Sequence, residues 1–244
     1  MKTVIQDTAE ILVTNLKTGK VIMVGEGTVA GIEQSISEEV LRGGIGNKAI
    51  FMLRSDKEIT LNVTSATFDM EYLALTQGVT VDDAGTAEIT KAAYPVVVDN
   101  LGTLEVTIPN APVGLVEATI VDLDGTSQSV VVASGVAEIP VGYDAIAGDK
   151  VQVFYKATVT GRSIELNAAK FADKYKVEYR TIAYNVEDAT IYSDIYFIFD
   201  EAIPSGNFSL SLESGSAFAP EMNFTVMTPL GTDKMGQMIE EIRA

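Results

Sequence analysis

Apolar residues recur at every second position in several stretches of the chain. Ile59, Leu61 and Val63 alternate with Glu58, Thr60, Asn62 and Thr64; Phe208, Leu210 and Leu212 alternate with Ser209, Ser211 and Glu213; Met222, Phe224 and Val226 alternate with Glu221, Asn223 and Thr225. A side-chain period of two puts alternate residues on opposite faces, so each stretch predicts a strand with one dry and one wet face. Further strand-forming segments fall at 9–15, 20–24, 28–33, 50–54, 86–91, 94–98, 103–108, 115–122, 128–133, 151–159, 176–184 and 190–200. Turn residues punctuate them: Leu16–Gly19, Asp82–Gly85, Pro109–Pro112, Asp122–Gly125 and Asn185–Ala189. Many short strands at regular spacing, separated by Gly, Pro, Asn and Asp, predict a sandwich or barrel rather than βαβ units.

Helical periodicity occurs in three places. Phe68, Tyr72 and Leu75 share a face in a helix over about 68–76, with Thr67 as cap and Gly78 as terminator. Asn167–Tyr175 carries a second short helical signal at the head of the stretch Ile164–Val226, around which the chain is organised as helix on sheet. Met235, Met238, Ile239 and Ile242 predict an amphipathic C-terminal helix within Thr232–Ala244. The expected fold is therefore mainly β: two packed antiparallel sheets in a sandwich or barrel, one or two short flanking helices and a C-terminal helix. No linker composition divides the chain, so residues 1–244 are expected to form one domain, with a β elaboration at about 100–140.

Gln34–Lys48 breaks the pattern. It is charged, weakly apolar and rich in glycine (Gly43, Gly44, Gly46), which suits a long loop or extended arm. Arg42–Asn47 lacks the Gly-Lys-Ser/Thr opening of a phosphate loop, and a strand rather than a helix follows. Two readings stay open: a surface loop, or an arm that orders on a neighbouring subunit through Glu38, Glu39, Arg42, Asn47 and Lys48.

Composition removes much chemistry. The 244 residues include no cysteine and no histidine, which excludes disulfides, thiolate nucleophiles, Ser-His-Asp machinery and histidine- or thiolate-bound zinc. Asp122-Leu-Asp-Gly125 opens like a calcium loop but lacks the later ligands, so it reads as a β-turn, as does Asp82-Asp83 before Gly85. Glu38, Glu39 and Asp99 have no partner group for acid-base work and read as solvated charge. No enzyme activity, cofactor or metal is expected. A net charge of -17 repels phosphate backbones, which disfavours stable nucleic-acid binding and permits passage without adhesion. No run of eighteen apolar residues predicts a membrane span, and the first residues lack the basic and apolar regions of a secretory signal.

Three pieces together resemble the tail tube proteins of tailed bacteriophages: Glu58–Phe68 continuing through Leu73–Gly78; Gly148–Tyr155 leading to Ile164–Tyr175; and Ile195–Ala202 with Phe208–Glu213 and Met222–Val226. The match is to a pattern of elements over most of the chain. The resemblance implies a subunit of two packed sheets with a flanking helix, six-membered rings stacked into a tube, and a shared inner barrel through which double-stranded DNA passes during ejection. It implies a long early loop bridging neighbours, where Ser35–Asn47 falls, and a channel lined by Glu58, Thr60, Asn62, Thr64, Ser209, Ser211, Glu213, Glu221, Asn223 and Thr225. Implied partners are further copies of the chain, a tape measure protein, and tail terminator or baseplate proteins; the implied location is the virion tail, assembled in the host cytoplasm. The competing readings are a head-tail connector, a baseplate component or a surface binding module.

Overall fold

The computed structural model of the chain describes residues 2–24, 27–100, 103–121, 125–143, 145–207, 214 and 220–243. Its elements, in order, are β1 (Thr3–Ile5), β2 (Glu10–Asn15), β3 (Val21–Val24), β4 (Gly27–Gly43), β5 (Lys48–Ser65), α1 (Met70–Gln77), β6 (Asp82–Asn100), β7 (Leu104–Thr107), β8 (Glu117–Val121), β9 (Ser127–Ala133), β10 (Val136–Glu138), β11 (Lys150–Ser163), β12 (Tyr175–Asn185), β13 (Ile191–Pro204), β14 (Glu221–Val226) and β15 (Gln237–Ile242). The mainly β, antiparallel architecture expected from the alternations is borne out. The chain divides into two compact units, one of residues 1–81 with 164–244 and one of residues 82–163; the segment at 100–140 lies within the second.

The first unit is one antiparallel sheet in the order β3-β2-β12-β13-β14-β5-β4, with β1 on β12 and β15 on β13. Its inner face joins Ile11, Val13, Leu61, Val63, Val177, Tyr179 and Phe224, all at most 1% exposed, with Tyr72 and Leu75 of α1. Tyr179 meets Phe199 edge-on at 6.4 Å, a favoured aromatic arrangement. The helix is capped two residues later than expected, at Asp69 rather than Thr67: Asp69 accepts from the Glu71 N–H at 3.0 Å. Gly78 ends it with φ 66°, as the sequence predicts.

The second unit is a closed barrel, β10-β7-β6-β11-β8-β9, around Val98, Val106, Ile120, Ala137, Val151 and Val153. The early part of β6 and the late part of β11 form a two-stranded ribbon, pairing from Gly85 with Gly161 to Thr90 with Lys156. The turn expected at Asp82–Gly85 is instead strand, and 86–91 and 94–98 are one strand.

Two expected helices are absent. Asn167–Lys170 is a turn, its Asn167 side chain accepting from the Ala169 N–H, and residues 171–174 lead into β12 without helix. The C-terminal segment forms β15 rather than a helix. A strand there pairs with Ser193–Ile198, along the stretch of β13 that β14, on the same edge, leaves open.

Candidate assembly surfaces

The expected loop at 34–48 is a continuous β-hairpin arm. β4 and β5 pair from Gly27 with Ser65 to Gly43 with Lys48, so 50–54 and 58–64 are parts of one strand. The register shifts between Ser35 and Ser37, and Asp56 takes φ 49°, which absorbs the interruption that the sequence shows at Ser55–Lys57. The tip turns on Gly44, Gly46 and Asn47, all at positive φ.

Beyond Glu58 the arm has no apolar floor. Residues on both of its faces are exposed, including Leu41 (62%), Ile50 (66%) and Phe51 (60%), with Leu41 directly opposite Phe51. Glu38, Glu39, Arg42, Asn47 and Lys48 are all exposed on it; Glu38 accepts from Arg54 Nε at 3.0 Å. From Val40 to Leu53 the arm carries Arg42 and Lys48 and no carboxylate, a cationic and apolar tip on a chain of net charge -17. A two-stranded ribbon of this kind is marginal in water unless something covers it.

The polar rows form a second surface. Thr64 stands between Glu221 and Val29, Asn62 between Asn223 and Gly31, and Thr60 between Thr225 and Glu33, while Glu58 faces Ser35. The side chains between these rows (Ile59, Leu61, Val63, Met222, Phe224 and Val226) are buried on the opposite face. The structure thus brings Glu58, Thr60, Asn62, Thr64, Glu221, Asn223 and Thr225 together on one face. Ser209, Ser211 and Glu213 lie outside the described residues, as do Asp122 and Asp124. Asn62 Nδ2 donates to Glu221 Oε1 at 2.8 Å, and its Oδ1 is buried with no hydrogen-bond partner among the described residues. The rows contain Glu33, Glu58 and Glu221 and no lysine or arginine. Sequence reasoning missed Glu33, because the alternation of β4 is obscured by Val29, Gly31 and Ile32.

A third cluster holds the C-terminal strand. Asp194, 5% exposed, accepts from Arg243 Nε at 2.6 Å and Nη2 at 2.8 Å, and from Arg180 Nη2 at 3.1 Å. The Arg243 hydrogen bonds, with those of Arg180, pull its carboxyl down to about 2 against the opposing effect of desolvation. Ser193 donates to Glu240 and Tyr196 to Glu241, so β13 binds β15 through side chains as well as backbone.

A depression of about 700 Å³ in the second unit is lined by Glu88, Glu117, Ser129, Lys156, Val113 and Val116. Its charged groups are paired within the chain: Lys156 with Glu88 at 2.8 Å, and Glu117 with the Ser129 hydroxyl. Among the described residues no group of three acidic side chains is placed to hold a metal ion, and no helix is long and apolar enough to cross a membrane.

Residues 3–240 match the model of the YomU/Tube protein family. The chain belongs to that family. It is 41% identical over 244 residues to the tail tube protein of Bacillus phage SPR, covering all of this chain and 90% of the relative. It is also 30% identical over 166 residues to the SPbeta prophage-derived protein YomU of Bacillus subtilis strain 168, covering 68% of this chain and 60% of that one. The resemblance to phage tail tube proteins drawn from the sequence is borne out at the level of the family. Its YomU/Tube membership spans both compact units, so the barrel of residues 82–163 belongs to what the family model describes.

Proposed function

We propose that the chain is a structural subunit of a phage tail tube, assembling into hexameric rings that stack around a channel for DNA. The observation that carries this reading is the likeness, along the whole chain, to the tail tube protein of phage SPR. It is a structural rather than a catalytic role, exercised in the virion tail after assembly in the host cytoplasm.

Two surfaces support the reading physically. The face of β14, β5 and β4 with Glu33, Glu58 and Glu221 is polar, acidic and free of cations, the property that lets a phosphate backbone slide past without adhering. We assign it to the channel wall. The β4–β5 arm is uncovered, and its cationic apolar tip complements an acidic second copy. We assign the arm to a neighbouring subunit. Edges left open in the sheet are closed by pairing between subunits, which also removes the aggregation hazard they pose. The remaining partners are a tape measure protein within the tube and terminator or baseplate proteins at its ends.

Negative-stain microscopy of the purified chain at high concentration, alone and with its tail assembly partners, tests the proposal. Rings with six-fold averages, or tubes, are the expected result. A protein that stays monomeric under all these conditions sinks it.

A further inference from the structure

β14 and β15 lie end to end on the same edge of β13. Both run antiparallel to it: Val226 pairs with Ala202, Met227 N–H donates to the Glu201 carbonyl at 2.9 Å, and Gln237 pairs with Ile198. The chain therefore makes a ten-residue excursion, Met227–Gly236, while β13 advances only three positions, from Glu201 to Ile198. An uninterrupted strand would need no such detour.

The strand that returns is unlike its neighbours. All six residues of β15 are exposed, whereas the β13 residues it covers include Ser193, Asp194 and Ile195, each at most 5% exposed. Donor and receptor are thus asymmetric. The receptor is built: Asp194 is set for Arg243, Ser193 for Glu240 and Tyr196 for Glu241. Lys234, paired with Asp200 of β13 at 3.2 Å, Met235, which packs against the core, and Gly236, which fits closely against Phe199, fix the point where the donor enters. The connection leading to Met235, residues Met227–Lys234, holds Pro229, the fully exposed Leu230 and Gly231 at φ 85°. Stretched out, eight residues span about 26–29 Å.

We propose that β15 is an exchangeable strand, which in the assembled state leaves the β13 edge of its own subunit and fills the same edge of a second copy, placing Arg243 on the partner subunit's Asp194. The proposal rests on the assembly reading above. Exchange conserves every contact that β15 makes, because donor and receptor sequences are identical in all copies. The side chains of β15 bury nothing that must be torn from the core. Once subunits are held side by side, the partner's receptor is present at the high effective concentration of a tethered site. The exchanged form then adds a covalent thread between subunits at no loss of contacts.

The chain has no cysteine, so a disulfide reports the pairing cleanly. Ser193 and Ile242 stand opposite each other, as do Tyr196 and Ile239. Ser193→Cys/Ile242→Cys and, as a second pair less tied to the buried side of the strand, Tyr196→Cys/Ile239→Cys are oxidised in dilute unassembled chain and, separately, after assembly. Dilute chain should run as a monomer on a non-reducing denaturing gel. Assembled chain should run as a ladder of covalent oligomers that collapses on reduction. Rings or tubes that release only internally bonded monomers overturn the exchange and leave the tube reading standing. A chain that never assembles overturns both.

Discussion

Arg243, the residue after β15, holds Asp194 of β13 with two nitrogens, at 2.6 Å and 2.8 Å. The carboxyl titrates at about 2 in the folded state, against an ordinary value of 3.8. Because the folded value is depressed, the stabilisation is present in full above the ordinary carboxylate range and is lost as pH falls from about 4 through 2. Asp194→Asn should therefore lower the melting temperature by a constant amount at neutral pH, and the gap to wild type should narrow steadily below pH 4. A gap that stays constant down to pH 2 would show that the clamp contributes no proton-linked stability.

The two compact units have separate cores, so they should report separate damage. Leu61→Ala in the sheet unit and Ile120→Ala in the barrel each delete a side chain with no exposure, and each should cost about 2–5 kcal/mol. In chemical denaturation followed by probes placed in either unit, each substitution is expected to move its own unit's transition by more than the other's. Residues 82–163 expressed alone should also unfold cooperatively, since their barrel closes on its own apolar interior.

Gly78 and Gly19 both sit at positive φ, 66° and 70°, but only Gly78 is crowded. A Cβ there would lie 2.0 Å from the Phe171 carbonyl oxygen, whereas Gly19 opens onto empty space. Gly19→Ala should cost about 1–2 kcal/mol, the left-handed backbone penalty alone. Gly78→Ala should cost clearly more, because the segment after the Asn167 turn must also shift. Equal costs by urea titration would mean that the close approach is not maintained in solution.

On the arm, Leu41→Ser with Phe51→Ser replaces two exposed side chains and should change subunit stability by no more than about 0.5 kcal/mol per site. The same pair should abolish rings under the microscope. Arg42 and Lys48 flank the tip turn, so trypsin should cut the free subunit there and spare the assembled one. Cleavage at equal rates in both states would remove the arm from the interface.

The period-two stretches at 58–64 and 221–226 were legible because one face of each is buried in a single core, and the polar rows followed from them directly. The outer part of the arm, Gln34–Lys48, was not legible as strand. Its two faces are both exposed, so no alternation marks it, and its glycines spoke for a loop. The C-terminal strand misled for the same reason: with no residue of β15 buried, Met235, Met238, Ile239 and Ile242 fit helical spacing as well as any other. Its conformation is decided by the vacant edge of β13, a long-range partner that local pattern cannot show. The barrel's separate closure was hidden because β6 and β11 carry ordinary strand sequences with no change of composition at their boundaries.

The ribbon of β6 and β11 has a consequence for how this chain can change length. From Gly85 to Thr90 its rungs are regular, each residue facing one partner between Lys156 and Gly161. Deleting or adding one residue in each strand at the same rung keeps the ladder but turns every later side chain to the opposite face. Changes of two per strand restore the faces. Matched changes of two residues per strand therefore alter the ribbon's length by about 7 Å and keep both of its faces, so viable insertions and deletions in this part of the gene should come in matched pairs of two codons.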